Sequence, residues 1–124
     1  MNTVLNIASR ILMSLIFVLS GVGKIMGYAA TQGYMAKMGV PGELLPVVIA
    51  VELGGGLALL LGFQVRIVSF LLAGFCIVTA AMAHNNFAEQ EQMINFLKNL
   101  AMAGGLLMFT QYGAGTMSID RRQA

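Results

Sequence analysis

Four long apolar stretches, about 5–26, 44–62, 67–83 and 93–112, are separated by shorter polar or glycine-rich breaks along the 124 residues. Each is long enough to cross a hydrocarbon core about 30 Å thick at a rise of roughly 1.5 Å per residue, so the pattern predicts an all-α, transmembrane four-helix bundle in a single domain, 1–124. The second stretch is the most uniform. From Leu44 to Gly62 it reads LLPVVIAVELGGGLALLLG, apolar or small at every position except Glu52. Eight residues past Leu44, Glu52 falls roughly 12 Å deep, close to the midplane. An unpaired charge there costs on the order of 3 kcal/mol on insertion scales, so the carboxyl must be protonated, face other helices or find a cationic partner. Ala50, Gly54, Ala58 and Gly62 recur at four-residue spacing along one face, and Gly55 and Gly56 flank the face of Glu52. Neighbouring backbones are therefore expected to approach this helix from more than one side.

The first stretch carries a second pattern. Arg10, Ser14, Phe17, Gly21 and Lys24 follow at steps of four, three, four and three, which places them on one helical face. That stripe is expected to face protein, with Arg10 and Lys24 either working inside the bundle or snorkelling to opposite interfaces. A signal-peptide reading, with Ile11 to Leu19 as its apolar region and Val18 and Ser20 near a cleavage site, does not account for the stripe.

The breaks define the rest. GYAATQGYMAKMGVPGE, residues 27–43, is too polar to span; Ala29 to Met38 predicts a short interfacial helix between the first and second spans, stopped by Gly39 and Pro41. Tyr34, Met35 and Met38 give it an apolar side to lay on the membrane surface or over the bundle mouth. Phe63 to Arg66 is a short turn that makes the second and third spans antiparallel neighbours. The third span ends at His84, Asn85 and Asn86, where the histidine reads as an interfacial hydrogen-bonding residue or as a proton-handling or ligand-binding one. The fourth opens with Asn95, Lys98 and Asn99. At roughly 8 Å depth, the long stem of Lys98 is expected to reach Glu52 and form an ion pair. Gly113 breaks the helix, and the tail runs to a basic, exposed end.

Composition agrees with the membrane. Hydrophobic residues make up 58% of the chain and charged ones 10%, and the mean hydropathy is +0.82, outside the soluble range. Seven basic residues without a basic run give no footprint for nucleic acid. A single Cys76 and a single His84 offer no disulfide, no CxxC pair and no metal framework. Ten methionines read as adaptable packing. Four spans put both termini on one side with Arg10, Arg66, Arg121 and Arg122, and the positive-inside rule makes that side cytoplasmic. Lys24, Glu43, His84, Asn95, Lys98 and Asn99 then gather in the outer half above Glu52, as a polar funnel closing at a midplane carboxylate.

ARILMSLIFVLSGVGKIMGY from Ala8, MGVPG at 38–42, VELGGGLALLLGFQVR at 51–66, INFLKNLAMAGGLL at 94–107 and GAGTMSIDRR at 113–122 together resemble the DoxX family over nearly the whole chain. The resemblance implies a bacterial inner-membrane protein of four helices, with Arg10, Lys24, Glu52, Arg66 and Lys98 at the family's characteristic positions. It also implies an association with redox or membrane-assembly systems, since the family is named for a subunit associated with a thiosulfate:quinone oxidoreductase. Three classes of function follow. The first is a redox-associated component that binds a quinone or another small molecule, with Glu52 and Lys98 or His84 handling the proton. No haem, flavin or dithiol motif is evident in the sequence, so electrons would come through a bound quinone or a partner subunit. The second is a non-enzymatic scaffold or assembly factor, in which Gly and Ala faces dock another membrane protein or a second copy. The third is a small-molecule or proton transporter, for which the chain offers buried ionisable groups but no inverted repeat.

Overall fold

Within a bilayer the backbone has no water to bond to, so each span must satisfy its own amides and carbonyls. A computed structural model, which describes residues 3–83, 88–115 and 118–120, does so with five helices and, among the described residues, no strand. They are α1 Thr3–Met26, α2 Tyr28–Lys37, α3 Leu45–Leu61, α4 Val65–Ala83 and α5 Gln90–Tyr112, with a single 3-10 turn, Gly42–Leu44, leading into α3. Four of these segments are long and apolar enough to cross a membrane: Thr3–Met26, Gly42–Leu61, Val65–Met82 and Gln90–Tyr112. The predicted short helix is α2. The helices α4 and α5 begin two and three residues before the apolar runs do, at Val65 and Gln90. Their polar first turns are helical because backbone hydrogen bonding, not side-chain hydropathy, decides where a helix starts.

Glycine ends both α2 and α3. Gly39 and Gly62 take φ near +79°, a conformation that costs other L-residues free energy. At each, the next two amides turn back onto the last helical carbonyls: Gly39 and Val40 donate to Ala36 and Met35, and Gly62 and Phe63 donate to Leu59 and Ala58. These are Schellman closures.

The buried face of α1 is Asn6, Arg10, Ser14, Phe17 and Gly21: four members of the predicted stripe and the unpredicted Asn6, with the fifth member, Lys24, half-buried. It packs against α3, whose buried face is Leu45, Glu52, Gly56 and Leu59. Close approach depends on the glycines. A Cβ at Gly21 would lie 2.6 Å from Leu53 Cγ, and one at Gly56 would lie 3.0–3.2 Å from Phe17 and Val18. The expected docking face of Ala50, Gly54, Ala58 and Gly62 divides instead: Gly62 is buried and Ala58 half-buried, while Ala50 and Gly54 are exposed, with open space beside Gly54. Turning Glu52 inward forces this, because Gly54 lies two residues on, roughly 200° around the helix.

The other close pair is α4 with α5, which shares a core of Leu72, Ala73, Cys76, Ala103, Leu106 and Phe109. Antiparallel α3 and α4 are joined by the tight turn and meet where Gly55 faces Leu72. Around the bundle the order is α1, α3, α4, α5, and the seam between α5 and α1 is the loosest. The outer surface is apolar, with Leu12, Ile67, Leu71 and Val4 each more than 60% exposed. Such a surface is covered by lipid.

At the end that holds the start of α1 and the end of α5, polar groups tie the helix ends together. Arg10 donates to the Leu60 carbonyl (3.0 Å) and to Asn6 Oδ1 (3.2 Å). Arg66 donates to the Thr110 and Gln111 carbonyls (3.2 and 2.6 Å), satisfying the open end of α5. Residues 118–120 of the tail fold back here. Asp120 accepts from the Gln64 and Val65 amides (2.6 and 2.9 Å) and caps α4, and its own amide donates to Gly62. Arg121 and Arg122 lie outside the described residues.

Candidate functional site

The loop-side half of the bundle holds a chamber of about 590 Å³. All five helices contribute to its wall: Lys24 and Ser20 from α1, Thr31, Tyr34 and Met35 from α2, Glu52 from α3, Cys76 and Thr79 from α4, Asn95, Lys98 and Asn99 from α5. Helix periodicity explains the set. Ser20 and Lys24, Cys76 and Thr79, and Asn95 and Asn99 are three or four residues apart, so each pair shares one face and turns to the same side of its helix.

Glu52 lies seven residues into α3, roughly 10 Å down, and its side chain is 5% exposed. Its partner is Lys24, whose Nζ lies 2.7 Å from Glu52 Oε1. The same ammonium donates to Ser20 Oγ at 2.7 Å. The approach to Glu52 lies off the line of a hydrogen bond, so Oε1 is partnered by charge yet accepts none.

This corrects the pairing expected from depth alone. Lys98 is not the partner of Glu52. Among the described residues it makes no ion pair or hydrogen bond, and it stands exposed on α5 in the chamber wall. Helix adjacency is the reason: α1 packs on α3, whereas α5 packs on α4, so the cation carried past Glu52 is the one on α1. Lys24 bends inward instead of snorkelling outward.

The remaining expectations divide cleanly. Asn99 is fastened to α4, donating to the Cys76 carbonyl (3.3 Å) and to Thr79 Oγ1 (3.1 Å). Asn95 lines the chamber without a hydrogen bond among the described residues. Arg10 and Arg66 belong to the opposite end, where they close helix termini. His84 lies outside the described residues. Across the mouth lies α2, with Met35 buried and Thr31, Tyr34 and Met38 in the chamber wall, so the short helix covers the bundle. Gln32 fastens it to the Gly42 carbonyl at 3.2 Å. Polar residues that the sequence reading did not single out include Ser20, Thr31 and Thr79 in the chamber wall and, at the opposite end, Asn6 and Asp120. Asn6 lies four residues before Arg10, on the extended stripe, and that spacing was the signal for it.

The family model for DoxX matches residues 5–85. The chain belongs to the DoxX family. It is 50% identical to the Escherichia coli inner membrane protein YqjF over 93% of this chain and 88% of that one. It is 36% identical to the Escherichia coli inner membrane protein YphA, over 96% and 90%. With four spans and such relatives, this DoxX protein is an inner-membrane protein in contact with the lipid bilayer. A shorter likeness, 33% identity over 52% of this chain and 48% of the other, is to the Bacillus subtilis protein named "Putative oxidoreductase CatD". No solved structure matches the chain.

Chemically, this DoxX chamber combines a carboxylate able to hold a proton, two ammonium groups and amide donors, enclosed by methionine and aromatic side chains. Among the described residues no group of three His, Cys, Asp or Glu side chains is placed to hold a metal.

Proposed function

We propose that this DoxX protein is a redox-associated membrane component whose chamber binds the head group of a quinone, with no electron carrier of its own. The observation that carries the reading is a chamber at membrane depth with an ion pair in one wall and an unpartnered lysine and asparagine in another. A volume of about 590 Å³ falls in the range of small-molecule sites, roughly 300–1,000 Å³. A quinone ring presents two carbonyl oxygens, and Lys98 and Asn95 are donors that make no hydrogen bond among the described residues. Reduction of the ring takes two electrons and two protons. In this reading Glu52 and Lys24 hold and pass protons, and the electrons come from a partner subunit. The partial likeness to a protein bearing an oxidoreductase name points the same way.

The test is the quinone content of protein purified in mild detergent. The wild type is expected to retain quinone in near-stoichiometric amount, and Lys98→Met to lose at least about tenfold of it while keeping its thermal stability. If the wild type retains none and shows no saturable binding of added quinone, the reading fails.

A second reading, a scaffold for other membrane helices, has one observation in its favour, the open space beside Gly54 on the outward face of α3. Under it, Gly54→Leu removes co-purifying partners and leaves quinone content unchanged.

A further inference from the structure

The seam between α1 and α5 is not closed. A groove of about 670 Å³ runs along it, walled by Leu12, Met13 and Ile16 on one helix and Met102, Gly105 and Met108 on the other. It extends from Leu5 to Ile16 on α1, eleven residue steps or roughly 16 Å, and from Lys98 to Gly113 along and just past α5. It occupies the half of the membrane that the chamber does not.

The two spaces share a wall. Ile16, Lys98 and Met102 line both the groove and the chamber. Lys98, the cation without a partner, therefore stands at the junction of a polar compartment and an apolar channel that opens sideways to lipid. An ammonium at that depth is costly unless something polar meets it. A ligand with a polar ring and a long hydrocarbon tail satisfies both: the ring takes the donors of the chamber, and the tail leaves through the groove.

We propose that the groove between α1 and α5 is the lateral portal for the ligand of the chamber and the seat of its isoprenoid tail, so that the protein selects a tailed, membrane-dissolved quinone over a water-soluble ring. The inference rests on the quinone reading of the chamber. The glycine in the groove wall marks its narrowest point: a Cβ at Gly105 would collide with Cε of Met13, so the flexible thioether of Met13 reaches across the seam there and a large side chain at Gly105 would block it. The tail lies beside Met13 and Met108, whose flexible thioethers conform to an irregular chain.

Binding is measured on full-length protein in nanodiscs, with a benzoquinone ring carrying a decaprenyl tail and the same ring carrying only a methyl group. The tailed form is expected to bind at least about tenfold tighter, since several buried carbons add to its affinity. Gly105→Leu, and Met108→Trp at an outward position that is 54% exposed, are expected to remove that advantage and to leave the affinity of the short ring within about twofold. Met108→Trp guards against a folding defect in the first variant. Equal affinities of the two forms in the wild type, or an advantage that survives both substitutions, overturns the portal and leaves the chamber reading standing. Failure of both forms to bind the wild type overturns the chamber reading and the portal with it. A phospholipid with a photoreactive acyl chain supplies an independent arm. Its labelling of Leu12 and Met108 should fall when the tailed quinone is added; undiminished labelling makes the groove a site for bulk lipid and overturns the proposal.

Discussion

Glu52 and Lys24 together form a pair that neither could form alone. The carboxylate is nearly sealed, 5% exposed, while the ammonium is 28% exposed. Losing the cation strands a charge in an apolar wall. Losing the anion leaves an ammonium that still bonds Ser20 and is partly exposed. Lys24→Met is therefore expected to destabilise by about 2 kcal/mol, less than breaking a fully buried pair because Lys24 is part-exposed. Glu52→Gln is expected to cost less than that, and the double variant to recover most of the loss. Thermal unfolding of the three variants in detergent decides it, and a double variant as unstable as the sum of the singles would show that the two residues do not act as a pair. Lys98→Met, by contrast, removes a cation with no partner and is expected to leave the unfolding temperature unchanged or higher.

At the scale of the helix, small residues separate into those that touch and those that do not. Gly56 lies against Phe17 and Val18 of α1, whereas Gly54 meets nothing within 4 Å. Gly56→Leu is expected to destabilise by about 1–3 kcal/mol through overpacking, and Gly54→Leu to leave stability within about 0.5 kcal/mol. Denaturant titration of the two distinguishes a packing face from a lipid face. Helix ends follow the same logic. Asp120 caps α4 from 55 and 56 residues further along the chain, so Asp120→Ala is expected to cost about 1 kcal/mol. Removal of the residues after Gly115 should cost at least as much, since it takes away the same cap.

For the molecule as a whole, the bundle has one covered mouth and one open seam. Cys76 is the only cysteine in the chain; it is 2% exposed and lies in the chamber wall. Its reaction with a maleimide therefore reports access to the chamber. Met35→Ala, which thins the cover formed by α2, is expected to speed that reaction several-fold, and bound quinone to slow it. An unchanged rate in Met35→Ala would mean that reagents reach the chamber by another route.

Much of this was legible in the residues themselves. Spans follow from hydrocarbon thickness, the stop of α2 from Gly39 and Pro41, and most of the buried face of α1 from the spacing of Arg10, Ser14, Phe17 and Gly21. These features depend on neighbours within a few turns or on the solvent, and a linear sequence records both. The partner of Glu52 did not follow. Depth along a helix can be counted from sequence, but azimuth and adjacency cannot, and Lys24 and Lys98 were both at plausible depths. Only the packing of α1 on α3 and of α5 on α4 decided between them. The same holds for Asp120, whose capping role needs the tail to return across the molecule, and for the groove, which lies where two helices distant in sequence meet only loosely. Membrane, helix number and the inward carboxylate were fixed by local chemistry. Which charges meet, and where the bundle stays open, were decided by tertiary packing, because contacts between helices depend on which faces win the competition for the interior.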